Sequence, residues 1–155
     1  MGRGRNAGKS NMKTLVIGYG NLLRGDDGVG PFLAEKVRAL NLPEVEVRAL
    51  QQLQVEIAED LRSYRRVLLI DASDGGPEVD FRRVAPSATE AATTHFLSPG
   101  LLSSLCSTLY GFEPDLTVCT IRGDIFELKD GLSSDVLRRA EFAFKRIIDF
   151  VEGGK

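Results

Sequence analysis

The sequence predicts an α/β fold, a three-layer α/β/α sandwich, and three observations carry the prediction. Short apolar, β-branched runs alternate with segments of helical spacing along the chain, the pattern of strands and crossover helices. One run, RRVLLIDA at 65–72, is apolar almost without a break and ends in an acid, as a central strand covered on both faces would be. A chain of 155 residues has the usual size of one domain, and at this length folding buries roughly 70% of the unfolded surface.

The elements follow in order. TLVIGYG at 14–20 is a short apolar run closed by glycine, which reads as a buried first strand. After the loop NLLRGDD, the segment GVGPFLAEKVRAL sets Val29, Leu33, Val37 and Leu40 at helical spacing, with Pro31 tolerated in a first turn. VEVRAL at 45–50 alternates as a second strand, and Leu53, Ile57 and Leu61 lie four apart on one helical face. Strand three is 65–72, and DFRRV at 80–84 reads as a short polar edge strand. Ser98 and Pro99 suit an N-cap and a first helical position, opening a helix that would bury Leu101, Leu102, Leu105 and Leu109. LTVCTIRG at 116–123 is the last strand. A terminal helix over 133–151 repeats Val136, Ala140, Ala143, Ile147 and Val151 on one face.

Composition excludes several function classes. Apolar residues are 43% and charged residues 27% of the chain, ordinary soluble values, and no uncharged apolar run reaches the length of a membrane span. The net charge of −2 gives no overall basic field for a nucleic acid backbone. Cys106 and Cys119 each sit in an apolar pattern, the expectation for reduced, buried thiols and a cytoplasmic protein. Residues 1–12 are polar and charged without an apolar stretch, so they read as a disordered N-terminal extension, with 13–155 as a single domain.

Familiar catalytic motifs fail on spacing. A Walker A loop requires glycine five positions before Gly8, where Arg3 stands, and the dinucleotide fingerprint begun by Gly18 and Gly20 requires glycine where Leu23 stands. No GxSxG elbow occurs, Ser98 is better used as a helix cap, and Cys106 falls among leucines where a thiol is inert packing. One histidine and two distant cysteines cannot close a tetrahedral zinc site. What is left gathers at the ends of strands, where open α/β sheets bind ligands. Asp26 and Asp27 follow strand one, Asp71 and Asp74 follow strand three, and His95 precedes a helix. Either Asp26 or Asp27 can be a structural cap, and Asp74 suits a turn. Asp71 fits a structural role least, because an acid at the end of an apolar strand costs desolvation unless a partner or ligand offsets it. Two acids and an imidazole suit a borderline divalent metal such as nickel or zinc, and spacing alone stops at that possibility.

The segment VIGYGNLLRGDDGVGPFLAEKV resembles the N-terminal signature of the hydrogenase maturation proteases: a strand, GxGN, an apolar pair, then an acidic pair before the first helix. VLLIDASDGG resembles that family's apolar strand ending in its second acid, and THFLSPGLLSSLCSTLYG its histidine-bearing loop and following helix. The likeness spans nearly all of the chain after Met12. It implies a five-stranded mixed sheet between helices, phosphorylase/hydrolase-like, with strand four antiparallel. It implies an endopeptidase, classed as aspartic-type, that removes the C-terminal peptide of a nickel-iron hydrogenase large-subunit precursor after nickel insertion. The metal-contacting and catalytic set it carries over is Asp27, Asp71 and His95. No permanently bound cofactor is implied; the divalent metal at the site is nickel carried by the substrate. The expected partner is the large-subunit precursor, with no nucleic acid, no membrane and a monomeric state. Two positions depart from the family pattern. Residues 49–53 read AlaLeuGlnGlnLeu instead of a DGG-type turn, and Asp27 stands where glutamate is common, which leaves Asp26 as a substitute ligand. Asp27 and Asp71 either activate water or anchor the substrate's nickel; anchoring is preferred, because the chain has no standard protease nucleophile. The alternatives are a nickel-binding, metallochaperone-like module that does not cut, and a small-molecule hydrolase on the same fold.

Overall fold

The computed structural model describes residues 13–87 and 97–153. Five strands form one sheet: β1 (Thr14–Tyr19), β2 (Val45–Leu50), β3 (Arg66–Ser73), β4 (Val79–Arg83) and β5 (Leu116–Arg122), in the order β2-β1-β3-β5-β4. β1, β2, β3 and β5 are parallel, and β4 alone runs antiparallel, paired with β5. The sheet is therefore mixed in the way expected, with β3 at its centre. Four helices are described: α1 (Val29–Arg38), α2 (Ile57–Asp60), α3 (Pro99–Tyr110) and α4 (Ser134–Gly153). None is long and apolar enough to cross a membrane among the described residues. The extension at 1–12 and His95 lie outside the described residues.

Alternation along the strands divides the core into two layers. Leu15, Ile17, Val67 and Leu69 face α2 and α3, while Val16, Leu68, Ile70 and Ile121 face α1 and α4. On α4 the expected stripe is the buried one: Val136, Ala140, Ala143, Ile147 and Val151 are all in the core. Each large member of that stripe contributes roughly 1.5–3 kcal/mol by leaving water. α3 opens as its sequence dictates. The Ser98 hydroxyl accepts from the Leu101 N–H at 3.1 Å, Pro99 takes the first helical position, and Gly111 closes the helix in the left-handed region.

Three helical expectations need correction. Leu40 is 45% exposed, because α1 stops at Arg38 and the chain has already entered a turn. Leu109 is 54% exposed, since α3 buries Leu102, Ser103 and Cys106 and leaves Leu101 and Leu105 only partly covered. The helix expected over 53–61 shrinks to α2 and a 3-10 turn at Leu61–Ser63, although Leu53, Ile57 and Leu61 are buried as their spacing requires.

α1 lies on β1 with backbone against backbone. A Cβ at Gly30 would stand 2.5 Å from the carbonyl oxygens of Ile70 and Tyr19, and one at Gly18 would stand 2.1 Å from the Gly30 carbonyl oxygen. No side chain fits at either position. Gly18, one of the two glycines that suggest a nucleotide fingerprint, thus serves with Gly30 the approach of helix to sheet, and the two fix the start of α1 over the C-terminal end of β1.

Candidate active site

β3 extends further than β1. The parallel ladder between them ends at Gly18 and Ile70, whereas β3 stays paired with β5 through Ser73. Asp71 is the first residue beyond that ladder, so it sits at the crevice above the end of β1. Asp27 comes to the same place from the 3-10 turn Gly25–Gly28 that links β1 to α1. The GYGN segment builds this arrangement. Gly20 has φ +152, and a Cβ there would stand 1.9 Å from the Asp27 carbonyl oxygen, so only glycine lets the loop fold against Asp27. Asn21 then donates its backbone N–H to Asp27 Oδ2 at 2.6 Å, and its own Oδ1 accepts from the Leu23 N–H at 2.9 Å. Asp27 is held by the backbone while part of its surface stays accessible.

Asp71 feels the charge of Asp27. Burial pushes the Asp71 carboxyl up to about 7; the Tyr19 hydroxyl and the Ala72 N–H oppose that rise, while the charge of Asp27 adds to it. Part of Asp71 is accessible, but its carboxyl is crowded by protein atoms, and crowding by low-dielectric material disfavours the charged form. An acid poised near neutrality beside a second carboxylate is a functional arrangement more often than a structural one. An open cleft of about 410 Å³ is lined by Gly20, Asn21, Leu22, Leu23, Leu50 and Gln51 among others, and it meets the site through Asn21, whose backbone N–H binds Asp27. Leu22 and Leu23 are 60% and 62% exposed on its rim.

The other acids separate cleanly. Asp26 is fully buried, and its carboxylate accepts four bonds: from the backbone N–H groups of Asp124 and Ile125 at 2.8 Å, from Ser133 N–H at 2.7 Å, and from the Ser133 hydroxyl at 2.9 Å. Burial alone would raise this carboxyl, but the bonds from Ser133, Asp124 and Ile125 outweigh it and hold it below its ordinary value. Asp26 therefore ties the β1–α1 turn to the β5–α4 loop with both of its oxygens engaged. Its structural role is larger than helix capping, and nothing local in the sequence marks partners about a hundred residues away. Asp74 is exposed in the bend after β3. His95 lies outside the described residues, and no group of three or more His, Cys, Asp or Glu able to hold a metal occurs among the described residues. The described donor set is thus two carboxylates.

Cys106 is not a nucleophile. It is fully buried, its thiol donates to the Ala58 carbonyl at 3.5 Å, and burial pushes it up to about 11. Cys119, also buried, is pushed up to about 12 by the same cause. Both thiols should stay unmodified when the folded protein is treated with iodoacetamide and weighed intact. Cys106→Ala should cost about 1 kcal/mol in packing and leave the site working. Alkylation of Cys106 in the native protein would contradict this.

Comparison with known proteins bears on the fold. No family model matches the chain, and no curated protein matches it in sequence. Among solved structures it is similar to the [NiFe] hydrogenase maturation protease HycI from Thermococcus kodakarensis, with a TM-score of 0.72, 23% identity, and coverage of 91% of this chain and 93% of that one. The hydrogenase maturating endopeptidase HybD from E. coli gives a TM-score of 0.68 at 23% identity, covering 92% and 94%. The hydrogenase 2 maturation peptidase from a Thaumarchaeota archaeon gives 0.67 at 24% identity, covering 88% and 96%. The chain has the fold of the hydrogenase maturation proteases.

Proposed function

We propose that the protein is an endopeptidase that removes the C-terminal peptide from the large-subunit precursor of a nickel-iron hydrogenase after nickel insertion. The observation that carries this reading is the convergence of Asp27 and Asp71 at the C-terminal edge of the sheet, in a fold shared with maturation proteases. Asp27, Asp71 and His95 are assigned as the side chains that meet the substrate's nickel, with His95 resting on the sequence resemblance. Two carboxylates and one imidazole make an incomplete shell for a borderline metal. A metal already held by the substrate would complete it, which favours recognition of a loaded precursor over storage of a resident ion.

Either role for the carboxylates follows from their chemistry. Asp71, poised near neutrality, can exchange a proton with water at physiological pH, the basis of an aspartic-type assignment. Anchoring is favoured because docking a substrate-borne metal would hold the scissile bond in place with a large entropic advantage. The test is incubation with nickel-loaded and nickel-free precursor, followed by intact-mass analysis. Loss of the C-terminal peptide only from the loaded form is expected. Equal cutting of both forms would return the two acids to water activation. Tight binding of the loaded form with no cleavage would replace the protease with a non-cutting inspection module.

A further inference from the structure

One polar atom beside the carboxylates is left unused by that chemistry. Tyr19 ends β1 and is only 8% exposed, and its hydroxyl is buried with no hydrogen-bond partner among the described residues. The register that pairs Gly18 with Ile70 sets Tyr19 beside Asp71 on neighbouring parallel strands. The phenol stands near enough to Asp71 for a hydrogen-bonding influence to pass between the two groups, and it feels the charge of Asp27, but the bond to Asp71 is not formed at full geometry. A buried donor left without a full partner destabilises the fold, and phenylalanine would fill the same space without that cost. A phenol, with a reference pKa of about 10, is a neutral donor at pH 7. Its nearest charged neighbours are two acceptors.

Resting on the proposed function, we propose that Tyr19 is a positioning residue of the carboxylate site. Its O–H donates to one oxygen of Asp71 when the site takes up a divalent metal, which turns the other oxygen toward the ion. A ligating carboxylate needs such an outer partner to fix its orientation, and losing one typically weakens metal binding by about 10–100-fold. The orphaned hydroxyl is a donor held ready for a carboxylate that has yet to turn.

The experiment is calorimetric titration of the full chain with Ni²⁺ alone at fixed pH, for wild type, Tyr19→Phe and Asp71→Asn, with thermal unfolding of each. Tyr19→Phe is expected to bind nickel about 10–100-fold more weakly, while its Tm is unchanged or raised because the orphaned donor is gone. A purely structural hydroxyl would do the reverse, lowering Tm, and that result overturns the proposal. Wild-type affinity in Tyr19→Phe, with binding lost in Asp71→Asn, would overturn the role of Tyr19 alone. Equal binding by wild type and Asp71→Asn, or none by wild type, would overturn the Tyr19 role, while the docking reading would be decided separately by the precursor assay, in which the substrate's own ligands complete the shell.

Discussion

Asp71→Asn is expected to stop processing and, in the same molecule, to stabilise the fold at pH 8 by about 2–4 kcal/mol. The folded-state pKa of Asp71 is raised, from 3.8 to about 7. Between those values the folded protein holds a proton that the unfolded chain has released, so stability falls as pH rises from about 4 to 7 and the penalty is complete above that. A tenfold change in proton affinity is worth about 1.4 kcal/mol, so a rise of this size caps the effect at roughly 4.5 kcal/mol, and the partial exposure of Asp71 brings it down into that range. Asparagine is neutral throughout and escapes the penalty. Thermal unfolding from pH 4 to 8 should therefore show the variant and wild type diverging up to pH 7 and then running parallel. A difference independent of pH would show that the carboxyl is not poised as described. The trade of stability for activity is the ordinary signature of a charge buried for function.

Asp26→Ala should move stability the other way, by about 3–5 kcal/mol, because three backbone donors and a hydroxyl lose their acceptor together. Here the folded pKa is lowered. The stabilisation is present above the unfolded value, about 3.9, and is lost as pH falls through the folded one. The gap in Tm between wild type and variant should thus narrow as pH falls through that lowered value. Asp26→Asn should also lose stability, since an amide nitrogen would face a donor, yet per folded molecule it should process substrate better than Asp27→Asn. The reverse ranking would make Asp26 the ligand and Asp27 the scaffold.

The parts of this molecule that sequence reveals are those encoded locally. Strand runs such as TLVIGY and RVLLIDAS, the Ser98-Pro99 helix start and the α4 stripe all declare themselves within a few residues. Even the antiparallel β4 shows as a short polar run. Boundaries drift by a residue or two because fraying ends carry little information. The site divides in the same way. Asp71 stands out because an acid ending an apolar strand is locally anomalous. The separation of Asp26 from Asp27 depends on Ser133 and on the backbone of Asp124 and Ile125, and no window near residue 26 contains them. Arg139 is another case. It is 6% exposed on α4 and bonds to the Arg122 carbonyl at 2.7 Å and to Asp124 and Glu78 at 3.2 Å, holding the same β5–α4 loop from a helical position that reads as polar surface.

The two margins of the sheet bear on how this protein behaves at high concentration. Among the described residues, β2 and β4 each have one open side, a row of backbone groups that could pair with a strand from another molecule. On β4, Arg82 and Arg83 are 67% and 69% exposed and lie 3.5 and 3.6 Å from Asp80 and Asp115. On β2, Arg48 lies 3.4 Å from Glu46 and 3.0 Å from Asp60. Any intruding strand would have to strip water from these charges before gaining a ladder of its own. The pairs add little to the strength of the fold, but they make both margins poor templates for aggregation.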